Sequence, residues 1–436
     1  MFLLVASHGK LKRGEKKKQK IKDKICHTQY TKANHHSSTL KPFFHFQQPT
    51  MSMMWNNLPF DLLSNIFSFL SPDSLAIART VCRNWHACSN SYPLIPRITN
   101  CATKCKALQP WFLALPIRNH RPCCYAHNPD TNNWHELPLE FLPISLVKPI
   151  ATIGSLILLR ITNSTTLQLV LCNPFTRQFR YLPNLNMSRT NPAVGVTLSE
   201  YPKNDVLFQF PCFRIYVAGG MSEASSQGGA TYNPTSEMYD STKNNENWEI
   251  VGSMPVEFSV RLTVWTPNEN VNIKEKLYWI TSARAYSVMG FDVSNNTWFQ
   301  LGVPMAERLE FATLVRRSHE NLGLVGGTCD GGGCIWELND DGGTWWLVDK
   351  VPIELGLRLL SGQRNWDSVK CVGSDGVICL YRDLGSGMVV SRRIGEKGKW
   401  EWNWVEGCGF VKGKQVHNCS IRGTLIHPTL ASSVIF

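Results

Sequence analysis

Two periodicities divide the chain. From Leu58 to Leu70 the apolar residues Leu62, Leu63, Ile66, Phe67 and Leu70 recur every three or four positions, which lines one face of a helix. Pro59 suits the first turn, where a missing backbone N–H costs nothing. The "SPDS" that follows supplies a stop and a fresh start, with Ser71 as N-cap, Pro72 as the first helical residue and Asp73 beside the positive helix end. A second helix is expected through Leu75, Ala78 and Val81, and "CRNWHAC" sets Cys82 and Trp85 on the next apolar face. A unit of about 40 residues is marginal alone. Its spare apolar face needs a partner.

From about residue 105 the pattern becomes short apolar runs, and one unit recurs: "CCYAHNPDTNNWHELP", "LVLCNPFTRQFRYLP", "SEMYDSTKNNENWEIVGSMP", "VMGFDVSNNTWFQLGVP" and "CIWELNDDGGTWWLVDKVP". In each, a strand ends at Asn or Asp, a polar turn follows, then an aromatic, then an apolar residue and a proline. The aromatics are Trp134, Phe179, Trp248, Trp298 and Trp346, spaced 45, 69, 50 and 48 residues. The long gap contains Met221 to Ser236, which looks like a loop inserted between two strands of one unit.

Asx and Gly residues tolerate the positive φ of tight hairpins, the aromatic packs between sheets, and the proline ends a last strand. A four-stranded sheet cannot bury both faces alone, so the copies must stack around an axis. "IYVAGG" and "LGLVGG" each end an apolar strand in a glycine doublet, a position where strand ends are expected to crowd at a central channel. With a period near 50, the copies resemble the kelch repeat, which implies a β-propeller. Phe179 in place of Trp and the missing doublets in several copies mark them as degenerate.

A sixth, weaker copy spans "SVKCVGSDGVICLYRDLGSGMVVSRRIGEKGKWEWNWVEG", where Trp400, Trp402 and Trp404 alternate onto one side of a strand. The first copy lacks its opening strand, and "IRGTLIHPTLASSVIF" is an apolar strand left over. The tail is therefore expected to complete the first blade and remove the exposed edges. The fold class expected is a small all-α unit followed by an all-β kelch-type propeller, most simply of six blades. Its divisions are a leader over 1–52, the helical unit over 53–98, a linker over 99–120 and the propeller over 121–436.

The order "LP..LL..IFSFL....L...R.VCRNW" resembles the F-box, with Asp61 where Glu is commoner. That resemblance implies docking on a Skp-family adaptor, and through it a cullin scaffold, of a ubiquitin ligase. By the same resemblance Leu58, Pro59, Leu62, Leu63, Ile66, Leu70, Val81 and Trp85 form the adaptor contact. F-box followed by kelch repeats resembles the plant F-box/kelch family, which implies a substrate receptor that positions an unidentified target protein without performing chemistry itself. A scaffold or transcriptional co-factor acting without ubiquitin transfer is the other reading.

Arg189, Arg261, Arg308 and Arg358 each follow a blade-ending proline, Pro183, Pro255, Pro304 or Pro352, by four to six residues. Equivalent positions could ring one mouth of the propeller and favour acidic or phosphorylated targets. The same arginines could instead hydrogen-bond between blades. Loops after the second strands, including Met221 to Ser236, Thr281 to Tyr286 and Thr328 to Gly333, are further candidates.

Charge changes the picture only at the front. Residues 1–50 hold eleven Lys or Arg against Glu15 and Asp23, net +9, so +12 minus +9 leaves +3 for the other 386 residues. The run "KLKRGEKKKQKIKDK" reads as a nuclear-localisation or anionic-surface patch, as a solvated leader, or as an over-extended start with Met51, Met53 or Met54 as initiator. No apolar run approaches a membrane span, and "MFLLVAS" is too short for a signal peptide, so cytoplasm or nucleus is expected.

Among the fifteen cysteines, Cys101, Cys105, Cys123 and Cys124, with His120 and His127, are the one cluster worth testing as a zinc site. Adjacent strand residues face opposite ways and do not readily share a metal, so neither a metal nor another cofactor is expected. No H-E-x-x-H, G-x-S-x-G or P-loop occurs, and the Tyr, Cys and His set of kelch-type copper oxidases has no match. Catalysis is not expected. The aromatics recur at core positions rather than beside basic clusters, so direct nucleic-acid binding is not expected either.

Overall fold

The helical expectation is met by α1 (Phe60–Phe67), α2 (Pro72–Ala78) and α3 (Arg83–Ser91). The computed structural model describes residues 58–428 apart from 68–69, 71, 92–108, 118–121, 144–146, 163, 200–211, 223–227, 244–246, 265–269, 284, 318–320, 340–341, 363–364, 375 and 395–398. Pro72 opens α2; Ser71, the expected N-cap, lies outside the described residues. Leu63, Phe67, Leu75, Ala78 and Cys88 form the core of this unit. The Phe67 and Trp85 rings meet edge to face at 5.3 Å, and the Arg79 guanidinium donates to Ser89 Oγ and to its carbonyl, both at 3.1 Å. The second helix stops at Ala78 rather than running to Val81, because Thr80 turns the chain, its hydroxyl donating to the Ile77 carbonyl at 2.7 Å.

Six four-stranded antiparallel sheets follow, written from innermost to outermost strand. Blade 1 is Ile421–Ile426, Trp111–Pro116, Cys123–Asn128 and Asn133–Pro138; blade 2 is Val147–Ile153, Leu156–Ile161, Leu169–Asn173 and Gln178–Tyr181. Blade 3 is Ala193–Ser199, Cys212–Ala218, Thr235–Asp240 and Glu249–Ser253; blade 4 is Asn270–Ile273, Lys276–Thr281, Ser287–Asp292 and Thr297–Gly302. Blade 5 is Leu309–Arg316, Leu322–Thr328, Gly333–Leu338 and Trp345–Lys350; blade 6 is Lys370–Ser374, Val377–Tyr381, Met388–Ile394 and Lys399–Val405. Each innermost strand contacts the innermost strand of the next blade, and that of blade 6 contacts that of blade 1, so the ring is closed.

The closing strand is the last in sequence. Ile421–Ile426 pairs antiparallel with Trp111–Pro116 over six registers, Trp111 opposite Ile426 and Pro116 opposite Ile421. Trp111–Pro116 lies inside the stretch read as linker, so the sheet begins before residue 121. Pro110 and Pro116 bracket this apolar "WFLALP" run, but it is a second strand, and the recurring units that marked the blades begin only at their third strands.

In blades 1 to 4 the end of the third strand explains the recurring Asn or Asp. The side-chain oxygens of Asn128, Asn173, Asp240 and Asp292 accept from backbone N–H groups two residues on, at 2.9, 2.9, 2.9 and 3.0 Å. Asn132 and Asn296 then take the left-handed conformation that the hairpin needs, at φ 53° and 54°.

The strand-four aromatic sits between blades and, in several copies, bonds to the blade before it. Trp134, Trp248 and Trp345 donate from Nε1 to the carbonyls of Glu406, Pro183 and Gly302 at 3.0, 2.8 and 2.8 Å. In blade 5 the structural position is therefore Trp345, not Trp346. Trp345 faces Leu338 as Trp298 faces Phe291, whereas Trp346 is 49% exposed. Replacing Trp345 by Phe keeps the ring and loses one hydrogen bond, so unfolding should become easier by about 1 kcal/mol. The same change at Trp346 should leave the denaturation midpoint in place.

The two glycine doublets end second strands, away from the axis, and serve different needs. Gly219 and Gly220 have φ +68° and +93° and turn the chain tightly past Arg189. At Gly327 a Cβ would lie 2.2 Å from the Trp366 ring, so that position is glycine because an indole is laid against it.

Candidate functional site

On the helical unit, the core side of α1 is filled and its outer side is apolar. Leu63 is fully buried, while Leu70 and Trp85 pack against the same core; these three expected adaptor contacts hold the unit together. Leu62 and Ile66 are 47% and 40% exposed, one helical turn apart, with Pro59 exposed beside a half-buried Leu58. Val81 is 54% exposed. Ile77, which the sequence reading passed over, is 68% exposed. Its phase gave the signal: with Leu75 and Ala78 inward on α2, Ile77 points outward.

On the propeller, antiparallel pairing sorts the connections. Links between second and third strands, and from each outermost strand to the next innermost one, emerge at one end, called here the connection end. The first-to-second and third-to-fourth hairpins emerge at the other, the hairpin end. The connection end carries α4 (Val256–Val264), α5 (Ile353–Leu359) and the small hairpin Phe410–Val411 with Lys414–Gln415. The insertion after Cys212–Ala218 lies there too, tied down where Met221–Ser222 pairs with Arg189–Thr190.

The four arginines do not form one ring. Arg189 is fully buried inside blade 3. It donates to the carbonyls of Met187, Gly219 and Thr235 at 3.2, 3.1 and 2.8 Å and pairs with the equally buried Glu237. Glu237 in turn accepts from the backbone N–H of Asn186 at 2.8 Å and of Met187 at 3.2 Å. Burial pulls the guanidinium below its usual proton affinity and Glu237 draws it back. This residue is a structural clamp, not a ligand contact.

The other three arginines remain at the surface, each beside a carboxylate. Arg261 on α4 meets Glu257 at 2.8 Å, Arg308 pairs with Asp330, and Arg358 on α5 meets Glu406 at 2.5 Å while lying 4.2 Å over the Trp404 ring. The expected basic ring is thus largely neutralised. Large apolar side chains stand exposed among these pairs: Met187, Val256, Met305, Leu357, Ile353 at 80% and Phe410 at 70%. An apolar surface dotted with ion pairs is suited to a protein partner more than to a purely anionic one.

Among the described residues the cysteines give no alternative site. Cys101, Cys105 and His120 lie outside the described residues. Among the described residues no three His, Cys, Asp or Glu side chains come together as metal ligands. His127 Nε2 bonds Asn132 Oδ1 at 2.9 Å, and Cys124 is enclosed in the core between blades 1 and 2. Burial raises the Cys172 and Cys379 thiols to about 12, so they stay protonated and act as packing groups. Among the described residues, no helix is long and apolar enough to cross a membrane.

Comparisons with known proteins agree with this division. Residues 55–100 match the F-box-like family. "F-box only protein 6" of Arabidopsis thaliana is 25% identical over 86% of this chain and 74% of its own length. "Protein UNUSUAL FLORAL ORGANS" of the same plant is 22% identical over 82% of this chain and 80% of its own length. "SKP1-interacting partner 15", also from Arabidopsis, is 32% identical over 30% of this chain and 38% of its own length. With an F-box-like segment in front and six closed blades behind, the chain belongs to the F-box proteins that carry a kelch-type propeller.

Proposed function

We propose that this protein is the substrate-recognition subunit of an SCF-type cullin-RING ubiquitin ligase. The observation that carries the reading is the outer face of the helical unit, where Leu62, Ile66, Ile77 and Val81 are exposed although their own core is complete. Covering such side chains is worth roughly 1.5 to 3 kcal/mol each. A Skp-family adaptor is the partner this face is built to take, and the name of one relative, a SKP1-interacting partner, supports it. The propeller contributes no chemistry; it holds a target protein at its connection end, close to the ubiquitin-loaded enzyme, in cytoplasm or nucleus.

The test is affinity capture of the full chain, with and without proteasome inhibition. An Ile66→Asp, Val81→Asp double variant should lose adaptor by about 100-fold or more while its propeller unfolds at the wild-type temperature. An Ile353→Ser, Phe410→Ser variant should keep the adaptor and lose the proteins that accumulate under inhibition. Wild-type chain recovered without adaptor would overturn the proposal. Adaptor recovered with no inhibitor-stabilised protein would favour a scaffold without ubiquitin transfer.

A further inference from the structure

The last link of the ring, residues 406–420 between blades 6 and 1, carries charge in a form that the arginines at the same end do not. Its small hairpin pairs Phe410 with Gln415 and Val411 with Lys414, and Lys412 and Gly413 turn the chain at φ 50° and 74°. The root of the hairpin is fixed. Cys408 and Val411 are buried in the core between blades 6 and 1, the Cys408 N–H donates to the Leu384 carbonyl at 2.8 Å, and the Val416 N–H donates to that of Gly409 at 2.9 Å. The tip is bare: Phe410, Lys412, Lys414 and Gln415 are all exposed.

Arg261, Arg308 and Arg358 each have a carboxylate beside them. Among the described residues, the Lys412 and Lys414 ammonium groups have neither an ion-pair nor a hydrogen-bond partner. The carboxylates on this side of the ring are engaged elsewhere or stand apart. Glu406 faces Arg358, Asp383 accepts from the N–H groups of Gly385 and Ser386 at 3.1 and 2.8 Å, and Glu136, on the strand beside the hairpin, pairs with neither lysine. Residues 118–121, 144–146 and 363–364, which belong to the links at this side and lie outside the described residues, include no Asp or Glu. Turn chemistry points the same way. Two successive residues at positive φ favour Asn-Gly, and a lysine in the first of those positions is held there at a conformational cost. A cation is kept where an uncharged residue would make the better turn.

We propose that this hairpin is the contact that reads the target protein, and that it takes a segment rich in Asp and Glu with one apolar residue lying on Phe410. Its anchored root fixes the tip in advance, which lowers the cost of ordering a partner, and the free ammonium groups select partners of opposite charge. The inference rests on the receptor reading above and adds to it the chemistry of the segment recognised.

The full chain is titrated by fluorescence anisotropy with a labelled peptide of Asp and Glu carrying one Leu, with its Asn and Gln counterpart, and with a single-stranded oligonucleotide. Saturable binding of the acidic peptide is expected, weakening as salt is raised, with the uncharged counterpart weaker by about fivefold or more. Lys412→Asn combined with Lys414→Gln should weaken the acidic peptide by about fivefold or more, Lys412→Arg combined with Lys414→Arg should bind as wild type does, and Phe410→Ser should weaken it as well. Binding through the basic residues 1–50 would not change in any of these variants. Lys412→Asn should leave the thermal midpoint in place or raise it, which separates a lost contact from a lost fold. No saturable binding of the acidic peptide, equal affinity in wild type and the charge-removed variant, or an oligonucleotide that loses more affinity than the peptide in that variant overturns the assignment. Capture under proteasome inhibition keeps the two readings apart. Stabilised proteins recovered equally by wild type and the charge-removed variant would overturn the role of the hairpin alone; hairpin-dependent peptide binding with no stabilised protein would overturn the receptor role alone.

Discussion

Removing residues 420–436 should leave a protein without a cooperative unfolding transition. The deleted strand buries Ile421, Leu425 and Ile426 to within 3% of complete, and at roughly 1.5 to 3 kcal/mol each these account for about 5 to 9 kcal/mol. Total stabilities of about 5 to 15 kcal/mol leave little after that loss. The remaining chain would also present Trp111–Pro116 as a bare, apolar inner edge, a template for pairing with other chains. Aggregation or a broad, low-amplitude melt by circular dichroism is expected. A monomer that melts sharply at the wild-type temperature would show that the ring does not depend on its last strand. A milder probe is Gly423→Ala, whose new Cβ would lie 2.5 Å from the Phe112 ring and 2.8 Å from that of Tyr381. Overpacking there should cost about 1 to 3 kcal/mol.

The second large effect is expected at Arg189. Replacement by Met strands the Glu237 carboxylate in a fully buried site with two backbone N–H donors and no countercharge. Breaking a buried pair from one side costs about 3 to 5 kcal/mol, which should lower the thermal midpoint by roughly 10 °C. The Arg189→Met, Glu237→Leu double variant should recover part of that loss, because the stranded charge goes with it. Arg308→Met, at the exposed pair with Asp330, should leave the midpoint unchanged. Equal midpoints for Arg189→Met and wild type would mean that the clamp contributes nothing to the fold.

The contrast between Arg189 and Arg308 also shows where sequence reading reaches its limit. Both follow a blade-ending proline at short distance, and local spacing cannot separate them. Arg189 is buried because the Gly219–Gly220 turn and Glu237, thirty and more residues later, close over it. Local patterns were sufficient elsewhere. The Asn or Asp that ends a third strand bonds within two residues of itself, so its meaning is written nearby. The helical stripe at Leu62, Leu63, Ile66 and Phe67 marked the helix, but which of these face inward depends on where α3 packs, and Leu63 fell on the inner side. At Trp345–Trp346 the tandem hid the register, which is fixed by Leu338 across the hairpin.

The order of synthesis gives the closing strand a consequence in time. Pro116 and its partner Ile421 are separated by 421 minus 116, or 305 positions. At about 5 to 20 residues per second, the inner edge of the first blade waits roughly 15 to 60 s for the strand that covers it. The F-box segment, residues 55–100, precedes that edge in the chain and is synthesised before it. Under the proposed function, a nascent chain can therefore meet its adaptor while the propeller that would hold a target is still open, so the ligase side of the receptor is ready before the target side.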